Sequence, residues 1–174
     1  MVSVYLGLGS NLRPKENLFR CVLELQRRFD LKQLSSVYQS VAAGFEGEDF
    51  LNAVAAVETT LSVETVFNEL EVIHKLRGRK RGADQFLSRT LDIDLLLYGD
   101  EIIETHRVPR SDILEYSFVL CPLAEIAPAL KHPVTGRTLA AHWEDFEKSA
   151  QPLIKLSTNL LNVTIPQSGH RLSL

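Results

Sequence analysis

Apolar and polar residues alternate at the start of the chain, with Val2, Val4, Leu6 and Leu8 on one side of an extended segment. This predicts a first strand that runs out at Gly7-Leu8-Gly9-Ser10-Asn11. Pro14 suits the first turn of a helix, and Leu18, Val22, Leu25 and Phe29 then recur at helical spacing. Alternation over 33–41 predicts a second strand, and an acidic loop around Gly44-Phe45-Glu46-Gly47-Glu48-Asp49 separates it from a third at 53–60. Ser62 is placed to cap a second helix whose inner stripe is Val63, Val66, Phe67, Leu70 and Ile73. Residues 77–88 show no apolar period and read as a basic loop. Residues 90–98 form the next strand, and Gly99-Asp100 predicts a hairpin turn into an extended Glu101-Ile102-Ile103-Glu104.

Two strand–helix–strand units in series predict an α+β fold of the ferredoxin-like kind, a βαββαβ sandwich with an antiparallel sheet and helices packed on it. The main domain is expected over 1–150. Residues 151–174 form a C-terminal extension in which 161–165 alternates like a strand able to join a sheet edge, or extends without order.

Composition narrows the class. With 174 residues, 45% hydrophobic and 24% charged, the chain suits one compact soluble domain. No apolar run approaches the ~18–20 residues of a membrane span, and the first residues lack the pattern of a secretory leader. Cys21 and Cys121 lie in apolar surroundings and read as reduced core residues, so a cytoplasmic location is expected. The net charge is −3, but residues 74–89 hold six bases and one acid, a local +5 against −8 elsewhere. One basic patch on an acidic chain fits a small polyanion better than a nucleic acid.

The chemistry concentrates at Arg89-Thr90-Leu91-Asp92-Ile93-Asp94-Leu95-Leu96-Leu97-Tyr98. On a strand, Asp92 and Asp94 project from one face about 6.6 Å apart, while Leu91, Ile93, Leu95 and Leu97 bury the other. Paired carboxylates next to a basic segment suit a Mg²⁺-held polyphosphate, hence phosphoryl transfer. The plainer alternative is a D-x-D pair closing a strand and pairing with nearby arginines, and a basic run that is only a solvated face.

With these pieces placed, the chain resembles the 6-hydroxymethyl-7,8-dihydropterin pyrophosphokinase family of folate biosynthesis from about Tyr5 to Trp143. The carriers are Leu8-Gly9-Ser10-Asn11-Leu12, Phe50-Leu51-Asn52-Ala53, Gly78-Arg79-Lys80-Arg81, the Arg89–Gly99 stretch, and Phe118-Val119-Leu120-Cys121-Pro122-Leu123-Ala124-Glu125-Ile126-Ala127-Pro128. The resemblance implies transfer of the β,γ-pyrophosphoryl group of ATP, as co-substrate, to a pterin hydroxymethyl group, with release of AMP. It implies Asp92 and Asp94 as ligands of two Mg²⁺ ions and Arg79 and Arg89 as catalytic arginines. It further implies Arg81, Arg89, Leu95, Arg107 and Arg110 on the ATP side. Ser40, Val41, Ala43, Phe50, Asn52 and Phe118 fall on the pterin side. Partners are then pterin and ATP, with neither nucleic acid nor membrane, on a monomer or weak homo-oligomer.

The chain departs from the family on the nucleotide side. Phe86-Leu87-Ser88 stands where the family has Trp-Gly-Pro, His74 occupies an acidic position, Pro109-Arg110 replaces Pro-His, and Tyr116 replaces an arginine. Arg110 can bind phosphate but carries no proton as His does. These changes leave three readings: a pyrophosphokinase, including one with an altered pterin preference; a non-catalytic pterin-binding relative; and a polyanion-binding module.

Overall fold

The computed structural model describes residues 1–41, 49–76, 91–156 and Thr164. Its centre is an antiparallel sheet in the order β5-β1-β4-β3-β6, with β2 paired to the other end of β4. The strands are β1 (Val2–Ser10), β2 (Asp30–Leu34), β3 (Tyr38–Ser40), β4 (Phe50–Thr59), β5 (Asp92–Tyr98) and β6 (Ile154–Lys155). The helices are α1 (Pro14–Arg28), α2 (Val63–Leu76), α3 (Asp112–Glu115), α4 (Ser117–Ile126) and α5 (Leu139–Asp145).

Alternation in the strands produces two cores on opposite sheet faces. Val4, Leu6 and Leu8 of β1 join Ala53, Ala55 and Val57 of β4 under α1 and α2, whose Leu18, Val22, Leu25, Val66, Leu70 and Ile73 are buried there. The opposite face carries Val54, Leu96 and Leu97 under α4, with Ile113, Leu120, Leu123 and Leu139. The ferredoxin-like reading therefore holds, with further helices covering the second face. Ser62 caps α2 as expected, its Oγ accepting from Thr65 N at 3.3 Å.

Three details differ from the sequence reading, each for a local reason. The single strand expected over 33–41 is two, because Val54 N donates to Ser35 Oγ at 2.8 Å. A side-chain oxygen thus takes a place in the ladder and the backbone turns aside between β2 and β3. Leu97 does not share a face with Ile93 and Leu95. Leu6 pairs with Leu95 and Tyr5 with Leu97, so Leu96 is an extra residue in a β-bulge, and Leu97 is flipped to the α4 side. The turn at Gly99 forms, with φ +57°, but no strand follows it. Ile103 instead exchanges both backbone hydrogen bonds with Val108 around a short 3-10 turn at Glu104–His106.

The C-terminal segment returns to the sheet. β6 pairs with β3, Tyr38 opposite Lys155 and Gln39 opposite Ile154. The strand expected at 161–165 lies outside the described residues except Thr164, whose carbonyl accepts from Gln26 Nε2 at 2.9 Å.

Candidate active site

A cavity of about 340 Å³ opens on the α4 face of the sheet, at the end where β1, β4 and β5 run level. Its floor follows from strand register. Gly9 pairs with Asn52 on one side and with Asp92 on the other, while Gly7 pairs with Asp94. Asn52 and Asp92 are therefore two strand spacings apart, about 10 Å, with only a glycine between them. Gly9 keeps that floor low: a Cβ there would lie 3.2 Å from Asn52 Oδ1. The space between the amide and the carboxylates suits a flat bicyclic ring.

Asn52 is buried, and its Nδ2 donates to Ser40 Oγ at 2.8 Å, which fixes the carboxamide against β3. Ser40, Val41 and Phe50 line the same side, with Val41 exposed at the mouth. Phe118 and Tyr116 form the opposing wall, stacked with ring centroids 5.0 Å apart and planes at 21°. An amide edge and aromatic faces in one cavity have the chemistry to take a planar heterocycle, by hydrogen bonds at its rim and offset stacking on its faces.

At the other end lie Asp92, Asp94, Arg110 and Asp112. Arg110 Nη1 stands 3.4 Å from Asp94 Oδ1 and Arg110 Nε 2.9 Å from Asp112 Oδ2. Its backbone N donates to Leu96 O at 3.0 Å, tying the segment to β5. Burial pulls the Arg110 pKa down, but Asp94, Asp112 and Asp92 outweigh it and the pKa is raised. A cation already sits beside the paired carboxylates. Behind them, buried His74 accepts from Ile93 N through Nε2 at 2.9 Å, so this departure supports the strand that carries both aspartates.

The cavity thus brings together Ser40, Val41, Phe50, Asn52, Asp92, Asp94, Arg110 and Phe118 from the sequence expectation. Two expected residues are elsewhere. The Leu95 side chain is buried in the α1–α2 core, because the strand alternation before the bulge points it away; Leu96 lines the cavity instead. Arg107 is exposed, in the left-handed conformation at the end of the 3-10 turn, and lies outside the cavity lining. Ala43, Arg79, Arg81 and Arg89 lie outside the described residues. The sequence reading had no role for Gly7 or Asp112, and it noted Tyr116 only as a departure. The i, i+2 spacing of Arg110 and Asp112 was a usable signal for that ion pair; the proximity of Gly9 to Asn52 needed the strand register.

Fold and cavity define an α+β domain with an amide- and aromatic-lined pocket running into a carboxylate pair. A profile for the family described as 7,8-dihydro-6-hydroxymethylpterin-pyrophosphokinase (HPPK) matches residues 5–128. A protein of Aquifex aeolicus (strain VF5) named 2-amino-4-hydroxy-6-hydroxymethyldihydropteridine pyrophosphokinase is 35% identical over 143 residues, 80% of this chain and 89% of the relative. One of the same name from Haemophilus influenzae is 40% identical over 139 residues, 76% of this chain and 86% of the relative. The chain belongs to the HPPK family. The crystal structure of wild-type Plasmodium falciparum HPPK-DHPS with SDX-DHP superposes with a TM-score of 0.62 at 14% identity, a likeness of fold. It covers 83% of this chain, which spans less than half (43%) of the fused protein.

Proposed function

We propose that this protein transfers the pyrophosphoryl group of ATP to the hydroxymethyl group of 6-hydroxymethyl-7,8-dihydropterin, forming the pterin pyrophosphate and AMP. The observation that carries this is the continuity of one cavity from the Asn52 amide and the Phe118 face to Asp92 and Asp94. The ring end and the phosphate end of the reaction then share one floor across Gly9.

The pterin hydroxymethyl oxygen attacks the β-phosphorus, the bond from that phosphorus to the α,β-bridging oxygen breaks, and AMP leaves. The hydroxyl proton passes to solvent. Asn52 reads the ring edge, Phe50 and Phe118 hold its faces, and Ser40 orients Asn52. Positioning of this kind supplies much of the rate in phosphoryl transfer. Arg110, held by Asp112, offers its guanidinium to phosphate oxygens at the same end of the cavity. Arg79, Arg81 and Arg89 add the basic charge that the sequence places next to this strand, and Arg107 and the backbone at Leu95 are the remaining nucleotide-side candidates.

The carboxylate pair fits Mg²⁺. Its ligands would be the hard carboxylate oxygens of Asp92 and Asp94, both in the cavity lining. Two carboxylates that leave other positions to phosphate oxygens and water match how Mg²⁺ is usually held with nucleotides. When bound there, Mg²⁺ neutralises phosphate charge and orients the ATP chain.

Incubation of the protein with Mg-ATP and 6-hydroxymethyl-7,8-dihydropterin, followed by nucleotide chromatography, tests the reading. Pterin-dependent AMP is expected. ATP left intact while pterin binds would make this chain a binding relative of the enzyme, not a pyrophosphokinase.

A further inference from the structure

Helix α4 carries Phe118 as its second residue, yet its N-terminus has no local side-chain cap: Tyr116 occupies the cap position, and its carbonyl accepts from Val119 N and Leu120 N, but its side chain accepts nothing from the first turn. The cap comes from 34 residues downstream. Ser117 N donates to Gln151 Oε1 at 2.9 Å, and Gln151 Nε2 donates to Glu115 O at 2.9 Å. Ser117 Oγ also donates to the Gln151 carbonyl at 2.8 Å. One side chain therefore grips the backbone on both sides of Tyr116, the residue stacked on Phe118. It satisfies a helix N–H that local sequence leaves open.

The same segment then crosses to the other side of the pocket. Leu156 N donates to Val37 O at 2.8 Å, and Lys155 pairs with Tyr38 in register. Lys155 Nζ lies 3.7 Å from Glu125 Oε2. Glu125, from α4, accepts from Ser36 N at 2.8 Å and from the Tyr38 hydroxyl in a short hydrogen bond. β3 is only three residues long and carries Ser40, the partner of Asn52. Residues 151–156 thus tie together the aromatic wall and the strand that orients the amide, and they lie beyond the 5–128 family match.

We infer that residues 151–156 form a strap that sets the width of the ring pocket, with Gln151 as the positioning residue for the Tyr116–Phe118 wall. The inference rests on the proposed pterin reading of that pocket. Gln151 itself is not in the cavity lining, so its influence passes through the backbone of Glu115 and Ser117. A loosened wall costs ring stacking and leaves the Asp92–Asp94 end as it was.

The test is fluorescence titration of the full chain with 6-hydroxymethylpterin, in the presence of Mg²⁺ and α,β-methylene-ATP, alongside titration with the nucleotide alone. Gln151→Ala is expected to raise the pterin dissociation constant roughly fivefold, the scale of one lost helix cap, with nucleotide affinity unchanged. Gln151→Glu keeps the acceptor for Ser117 N and loses the donor to Glu115 O, so it is expected to recover most of the affinity. Unchanged pterin binding in Gln151→Ala overturns the inference. Equal loss of pterin and nucleotide binding overturns it too, since that is the signature of general destabilisation. A parent protein that binds nucleotide and no pterin sinks the functional reading itself, and is seen before any variant is made.

Discussion

Gly9 and Asn52 face each other across β1 and β4 so closely that a methyl group on Gly9 would stand 3.2 Å from Asn52 Oδ1. Asn52 is held on its other side by Ser40 Oγ at 2.8 Å, so the carboxamide has little room to retreat. Gly9→Ala is expected to displace the amide and weaken ring recognition by about 1 kcal/mol, the worth of one ordinary hydrogen bond. Calorimetric pterin binding checks this, with circular dichroism to confirm the fold. Asn52→Ala should lose more, because it removes donor and acceptor together; unchanged binding in that variant would show the ring to sit elsewhere.

Asp94 faces the cavity with its side chain about two-fifths exposed (42%), so little core packing depends on it. Asp94→Ala is expected to abolish AMP formation while leaving the melting temperature within a few degrees of the parent. Turnover near the parental rate would remove Asp94 from the metal site. The substitution also deprives Arg110 of one acidic neighbour, but Asp112 still holds the guanidinium at 2.9 Å. The loss is thus a loss of metal, separable by Mn²⁺ binding measured by electron paramagnetic resonance.

Much of this was legible in the chain because period carries it. Val4-Leu6-Leu8 and Leu18-Val22-Leu25 declare the faces of β1 and α1, and both sit in the expected core. The D-x-D spacing placed Asp92 and Asp94 on one face, and both line the cavity. What failed depends on non-periodic or distant events. A β-bulge at Leu96 reverses Leu97 while Leu91, Ile93 and Leu95 keep the expected core face, and no propensity marks the bulge in a run of three leucines. Ser35 splits a strand by presenting its hydroxyl to Val54 N, a contact 19 residues away. Gln151 caps a helix from a segment whose own sequence announces nothing.

Leu123 is fully buried in the core that backs α4, against the sheet face bearing Leu96 and Leu97. Truncation removes contacts on a helix that carries Phe118 at its start. Leu123→Ala is expected to cost about 2–5 kcal/mol in urea unfolding, within the range for buried leucines. A cost under ~1 kcal/mol would mean that α4 packs far more loosely than this burial implies.

Glu125 should leave a mark on acid stability. Burial pushes its carboxyl up, but the Tyr38 hydroxyl, the Ser36 amide and Lys155 outweigh this and hold its pKa below the ordinary 4.5. Cys121 is its other titratable neighbour, with a thiol that burial pushes up and that stays neutral in acid. With a folded pKa below the unfolded one, the contribution of Glu125 is complete above about 4.5 and is lost as pH falls through the lowered value. The unfolded chain takes the proton first, so each step down in pH favours unfolding. Glu125→Gln keeps an acceptor for Ser36 N, turns an amide donor toward the Tyr38 hydroxyl, and has no proton to gain. It is expected to be less stable than the parent at pH 7 and to show a flatter decline below pH ~4.5 in urea titrations at stepped pH. His132, whose pKa burial lowers, is present in both proteins, so it cancels in the difference. Parallel acid limbs for parent and variant would mean that Glu125 is not depressed in the folded state, and that the link from α4 to β3 is weaker than its geometry implies.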